Sequence, residues 1–317
     1  MPEDTVIPVI PPAAPSFLSE AARAGLEVPI VRTPFPAVDD VAGWTTYVEQ
    51  SDAFVADMLS GMALPMESSL ERIAGVPTYV VTPSGAPTGD DSPVFLSIHG
   101  GALIMGGGDL TRVMTEISAL SSPLVHWAPD YRMPPAHPYP AGLDDVMAVY
   151  RALLEVRDPS QIIVGGGSAG GNLAAALILK AKDENLPMPA GLVLLTPEVD
   201  LTESGDSFTT LADVSVGLQS LLDVNALYAN GHDLTEPYLS PLFGDVTGFP
   251  PTLLISGTRD LYLSNTVRMH RKLREAGVDA DLHIFDGRPH AGYGNAPEEA
   301  AVSAEVGAFV QKHLHTA

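Results

Sequence analysis

From about residue 75 onward, short apolar runs alternate with longer stretches whose apolar residues recur every three or four positions. Of the runs Thr78–Thr82, Val94–Ile98, Leu124–Ala128, Gln161–Val164, Gly191–Thr196, Thr252–Ser256 and Ala280–Phe285, most are continuously apolar. That pattern predicts strands covered on both faces, as in a parallel sheet. Between them the spacing predicts helices over Pro140–Glu155, Ala169–Lys182, Ser264–Ala276 and Pro297–His313, the last with Asn295 as a candidate cap. Strand alternating with helix implies an α/β fold, a mostly parallel central sheet flanked by helices. Two stretches break the rhythm. A proline-rich lead-in is followed by a helical pattern over Val41–Met62, and residues 201–249 carry Leu218, Leu221, Leu222, Leu227 and Tyr228 with no strand pattern. The expected organisation is an N-terminal cap segment over 1–70 and a main domain over 71–317, with a helical cap insertion around 201–249.

Composition narrows the class. With 317 residues and 45% hydrophobic content the chain can bury a large core, which excludes a disordered acidic protein. Sixteen Lys and Arg against 39 Asp and Glu give a net charge of −23, which argues against nucleic-acid or anionic-membrane partners and favours a neutral small molecule. No cysteine is present, so disulfides and thiolate chemistry are out. The start, MPEDTVIPVIPPAAP, lacks the basic and apolar regions of a secretory signal, and no apolar run has the length of a membrane span. The expectation is a cytoplasmic protein. No HExxH or comparable ligand spacing appears, and no metal or other cofactor is expected.

The run Ile162–Leu179 reads strand, glycine-rich turn, helix, and fits two chemistries. Gly166, Gly167, Ser168, Ala169 and Gly170 fill G-x-S-x-G, a nucleophile elbow that lifts a serine onto a strained turn at a helix N-terminus. Gly165, Gly167 and Gly170 equally fill G-x-G-x-x-G, the dinucleotide fingerprint of flavin- or NAD-dependent oxidoreductases. That reading wants an acid about 20 residues on, at the end of the next strand; Asp183 and Glu184 fall instead in a helix-ending turn, and Glu198 comes late. The rest of the chain favours the elbow. His99-Gly100-Gly101-Ala102 directly follows a predicted strand, and consecutive glycines there let Gly100 and Gly101 turn N–H groups toward an oxyanion, with Ala169 N–H as the other donor. Asp260 and His290 follow the next predicted strands in the order serine, acid, histidine that such a fold requires. His283 inside its strand, His270 in mid-helix, His313 and His315 in the tail, and Asp286 beside His290 are weaker competitors.

These residues, together with the run Tyr131–Asp145, Tyr238-Leu239-Ser240-Pro241-Leu242 and Pro250-Pro251-Thr252, resemble the bacterial esterases related to hormone-sensitive lipase, within the α/β-hydrolase superfamily. The resemblance runs from about residue 75 to the C-terminus. It implies a serine carboxylesterase acting on short- to medium-chain acyl esters, with lactones and small amides as neighbouring substrates. It also implies a helical cap that buries the acyl chain, a monomer or homodimer, and a structural role for the Tyr131 run, with Arg132 pairing a nearby acid. Trp44, Met58, Met62, Phe208 and Leu218 are the expected pocket walls. Three positions depart from the family pattern: Gly167 stands where an acid is usual, Asp260 is followed by Leu261-Tyr262-Leu263-Ser264, and Tyr293 comes three residues after the histidine, one later than is common.

Overall fold

The strands that read as continuously apolar form the middle of one sheet. In the computed structural model, which describes residues 8–61 and 64–314, eight strands run in the order β1-β2-β4-β3-β5-β6-β7-β8. They are β1 (Met66–Ile73), β2 (Val76–Pro83), β3 (Val94–Ile98), β4 (Val125–Pro129), β5 (Ile162–Gly167), β6 (Gly191–Leu195), β7 (Thr252–Arg259) and β8 (Ala280–Pro289). From β4 through β8 every pairing is parallel, whereas β1 with β2 and β2 with β4 are antiparallel. Nine helices accompany them among the described residues: α1 (Glu20–Leu26), α2 (Val41–Met58), α3 (Asp109–Ala119), α4 (Ala141–Leu154), α5 (Ala169–Asp183), α6 (Ser207–Thr210), α7 (Leu222–Ala229), α8 (Leu263–Glu275) and α9 (Glu299–His313).

Alternation along the strands sorts side chains into two cores. Val94, Leu96 and Ile98 of β3 join Leu143, Met147 and Tyr150 of α4 and the alanine- and leucine-rich face of α5. Phe95, between them in sequence, points the other way and packs with Ile163, Val193, Leu253 and Ile255 under Val302, Val306 and Phe309 of α9. Both sheet faces are thus covered, which is why these strands carry apolar residues at consecutive positions. A third cluster sits beyond the carboxyl ends of the strands, where Trp44 of α2 meets Leu221 and Val224 at α7, Ile104 after β3, and Leu261 and Tyr262 after β7.

Several elements differ from the sequence expectation. Strand β1, reading Met-Glu-Ser-Ser-Leu-Glu-Arg-Ile, is an exposed edge with no apolar run to betray it. It forms because Ala74 and Gly75, both at positive φ, make the two-residue turn that folds it back on β2. Helix α3 also lies outside the predicted set. Helix α2 stops at Met58, and α9 begins at Glu299 with Glu298, not Asn295, at its cap position. Within 201–249 only α6 and α7 are α-helical, with a 3₁₀ turn over Pro241–Phe243, and Leu218 and Leu221 precede α7.

Candidate active site

Strand β5 runs into α5 through a single residue, Ser168, held at φ 55° and ψ −123°. A non-glycine residue there is strained, and the surroundings over-determine it. Its N–H donates to the Leu195 carbonyl at 2.9 Å, and its own carbonyl accepts from Asn172 N–H and Glu198 N–H. The turn is tight enough that a β-carbon on Gly166 would lie 2.5 Å from the Ile98 carbonyl oxygen. Gly165 is filled against Phe95 and Val193 in the same way. The clearances these glycines leave are therefore occupied by the protein's own strands, which counts against a turn kept open for a pyrophosphate.

The structure brings Ser168, His290 and Asp260 into one line. Ser168 O–H donates to His290 Nε2 at 2.9 Å, and His290 Nδ1–H donates to Asp260 Oδ1 at 2.9 Å. Asp260 is fully buried at the end of β7. Its Oδ1 also accepts Tyr262 N–H at 3.0 Å, and its Oδ2 accepts the Ser256 hydroxyl at 2.9 Å. Burial pushes this carboxyl up, but the charge and hydrogen bond of His290, with the Tyr262 and Ser256 donors, outweigh burial and hold it below the usual aspartate range. An ionised acceptor at Nδ1 fixes the imidazole tautomer, leaving Nε2 bare toward Ser168. The Tyr262 ring meets the His290 ring edge-on, with centroids 4.9 Å apart and planes at 89°.

Facing Ser168 is the loop after β3. Gly101 sits at φ 123°, where a β-carbon would come within 2.0 Å of the Met105 carbonyl oxygen. Buried His99 stacks on Tyr131 with centroids 4.1 Å apart, and Tyr131 O–H donates to the His99 carbonyl at 2.9 Å. Burial pushes the His99 imidazole down to about 4, so it is neutral at pH 7 and its Nδ1–H donates to the Gly100 carbonyl at 2.7 Å. With that carbonyl held, the N–H groups of Gly100, Gly101 and Ala169 have no acceptor among the described residues. Asp52 of α2 accepts Gly106 N–H at 2.9 Å, tying that helix to the same loop. Arg132 grips Asp145 through Nε and Nη2 at 2.8–3.1 Å, the pairing the Tyr131 run implied.

A cavity of about 890 Å³ opens onto Ser168 and His290. Leu218 lines it as predicted, beside Phe35, Tyr47, Phe54, Val55 and Leu221. Three of the other expected walls lie elsewhere, and the fourth is not described. Trp44 is fully buried behind Phe35, stacked at 5.8 Å, with its indole N–H on the Ala37 carbonyl. Phe208 packs on Tyr262 and lines a separate, smaller hollow. Met58 is 63% exposed at the end of α2, away from the cavity, and Met62 lies outside the described residues. Tyr47, Phe54 and Val55 were visible in the helical pattern of residues 41–62, but periodicity alone does not say which stripe faces a cavity. Phe35, between Pro34 and Pro36, carried no signal at all.

The competing side chains are used elsewhere. Asp286 accepts the Thr258 hydroxyl, His283 faces Glu305, and His270 meets the Ala280 carbonyl. His313 lies beside the Phe309 ring, and His315 is outside the described residues. No group of three or more His, Cys, Asp or Glu among the described residues could hold a metal ion, and no helix among them is long and apolar enough to cross a membrane.

Comparison with known proteins converges on one chemistry. A family model described as alpha/beta hydrolase fold matches residues 95–293. An esterase of Acinetobacter venetianus is 35% identical over 227 residues, covering 68% of this chain and 71% of its own. A carboxylesterase of Mycobacterium tuberculosis, NlhH, is 30% identical over 241 residues, covering 71% of this chain and 75% of its own. Among solved structures, the esterase E25 superposes with a TM-score of 0.87 at 36% identity, covering 96% of this chain and 97% of that one. An esterase from the bacterial hormone-sensitive lipase family superposes with a TM-score of 0.80 at 31% identity, covering 89% of this chain and 100% of that one.

Proposed function

The chain belongs to the α/β-hydrolase family of bacterial hormone-sensitive-lipase-like esterases and is a carboxylic ester hydrolase; from that premise we propose a serine mechanism in which Ser168 is the nucleophile, His290 the general base and acid, and Asp260 the residue that orients the imidazole. The observation that carries this reading is the continuous line from Asp260 through His290 to the Ser168 hydroxyl, both contacts 2.9 Å.

The chemistry follows from that line. Ser168 Oγ attacks the ester carbonyl as His290 Nε2 takes its proton, and Asp260 stabilises the imidazolium. The N–H groups of Gly100, Gly101 and Ala169 bind the tetrahedral oxyanion, each worth about 3 kcal/mol in comparable sites. His290 then passes the proton to the leaving alcohol, and the acyl-Ser168 ester is hydrolysed by a water activated at the same nitrogen. No step calls for a cofactor. The flavin- or NAD-dependent alternative is not favoured, since the relatives are esterases and the glycine clearances are filled.

The substrates are short- to medium-chain acyl esters, with lactones opened by the same steps. The apolar wall of Phe35, Phe54, Val55 and Leu218 takes the acyl chain. The described residues 8–61 and the insertion around 201–249 act together as its cap, and the main domain begins ahead of the expected boundary at 70, because β1 from Met66 joins the central sheet. The test is hydrolysis of p-nitrophenyl acetate, butyrate, octanoate and palmitate at pH 8, beside Ser168→Ala. A loss of at least about 10³-fold in the variant, with acetate or butyrate preferred, is expected. Full activity in Ser168→Ala would remove the nucleophile assignment, and a preference for palmitate would remove the chain-length reading.

A further inference from the structure

Glu198 is a fully buried acid that the proposed reaction does not use. Its backbone is built into the elbow: its N–H donates to the Ser168 carbonyl at 3.2 Å, and its carbonyl accepts Asn172 Nδ2 at 2.7 Å. Its side chain is unspent, with neither carboxyl oxygen making a well-formed hydrogen bond. Beside it lie two more buried groups in the same condition, the Tyr262 hydroxyl and Asn225 Oδ1. Native interiors rarely leave such atoms unmatched, and three together ask what arrangement of protons satisfies them.

Burial answers. Asn225 Nδ2 gives one N–H to the Leu201 carbonyl at 3.0 Å and keeps a second, so Asn225 and the Tyr262 hydroxyl are the donors beside Glu198. A fully buried carboxylate with only two such neutral donors is costly as an anion, whereas the neutral acid accepts the Tyr262 hydroxyl without that cost. The electrostatics agree: burial, reinforced by the Glu203 carboxylate, pushes Glu198 up to about 8 against the opposing Tyr262 and Asn225 contacts. The other ionisable groups facing it, Tyr131 and Tyr228, are themselves held neutral by burial.

Tyr262 links this acid to the reacting groups. One end of the residue donates its N–H to Asp260, its ring edge meets His290, and its hydroxyl reaches Glu198. We propose that Glu198, as a neutral acid, is a positioning residue that acts through Tyr262 on the Asp260–His290 pair. The inference rests on the triad reading above.

The test is kcat and KM on p-nitrophenyl butyrate for Glu198→Ala, Glu198→Gln, Tyr262→Phe and the double variant Glu198→Ala/Tyr262→Phe, with Ser168→Ala as control. Glu198→Ala is expected to lower kcat about 10–100-fold with KM within about twofold, and Tyr262→Phe to do the same. The double variant falls no further, because both remove one linkage. Glu198→Gln, an uncharged isostere that still accepts the Tyr262 hydroxyl, restores kcat to within about threefold of wild type. Independently of activity, the infrared carbonyl stretch of a protonated carboxyl is present in wild type at pH 6 and missing in Glu198→Gln. Wild-type kcat in Tyr262→Phe, a Gln variant as impaired as Ala, or absence of that band overturns the proposal. If Glu198→Ala does not fold, Tyr262→Phe, which deletes one oxygen, decides alone. Retained activity in Ser168→Ala would instead remove the triad reading, while the infrared band would still report the proton on Glu198.

Discussion

Gly170 lies against the carbonyl of Ile98 so closely that a β-carbon would stand 2.0 Å from that oxygen. This contact lets β5 turn into α5 directly beneath β3, and so points Ser168 at the loop carrying Gly100 and Gly101. Gly167 is different. A β-carbon there would sit 3.6 Å from the Leu195 carbonyl oxygen, an ordinary contact. Gly170→Ala is therefore expected to cost about 3 kcal/mol or more, or to prevent folding, whereas Gly167→Ala stays within about 1 kcal/mol of wild type. Urea unfolding of the two variants checks this, and equal costs would contradict it.

Asp260 accepts two donors besides His290, so changing it to asparagine keeps most of its surroundings while removing the charge. The amide can present N–H to Nδ1, which favours the wrong imidazole tautomer. Asp260→Asn is expected to lower kcat by about 10³–10⁴-fold with KM little changed. Steady-state kinetics on p-nitrophenyl butyrate reads it, and a loss confined to KM would argue against an orienting role.

Two buried histidines link stability to acid. Burial lowers both His99 and His126 to about 4, against about 6.5 in an unfolded chain. Between those values the unfolded chain binds more protons, so stability is complete above about pH 6.5 and falls as pH drops toward 4. The loss is on the order of a few kcal/mol over that window. His126→Leu should show a shallower decline than wild type when urea midpoints are compared at pH 7.0 and 4.5; an unchanged slope would exclude His126 as a contributor.

Glu198 has the opposite linkage. Its folded value is raised to about 8 from an ordinary 4.5, so the folded chain binds more protons between those limits. Stability is then fully present below about pH 4.5 and declines as pH rises toward 8. Glu198→Gln removes that decline. Its melting temperature relative to wild type should rise by at least a few °C, roughly, from pH 5 to pH 8.5, as followed by circular dichroism.

Leu218 and Phe54 both line the cavity, one from the segment before α7 and one from α2. Filling the cavity from this wall should shorten the acceptable acyl chain. Leu218→Trp is expected to lower kcat/KM for p-nitrophenyl octanoate about tenfold more than for the acetate. A uniform loss across chain lengths would show that the acyl chain lies elsewhere.

The sequence alone determined what depends on local patterning. Continuous apolar runs marked the doubly covered strands β3, β5, β6 and β7, because a strand buried on both faces has no position to give to a polar residue. The elbow and the Gly100-Gly101 loop were legible because backbone crowding and positive φ admit little besides glycine. Ser168, Asp260 and His290 could be ordered along the chain because each follows a strand, and parallel strands deliver their ends to one edge of the sheet. Only the tertiary structure decided what depends on partners distant in sequence. Strand β1 has no apolar run and exists because a tight turn lays it on β2. Whether an apolar residue near α2 lines the cavity or backs it separates Phe54 from Trp44, and that depends on how α2 docks on the loop after β3 through Asp52 and Gly106. The environment of Glu198 was invisible for the same reason: its meaning lies in Tyr262 and Asn225, residues from two other segments that the fold alone carries to its side.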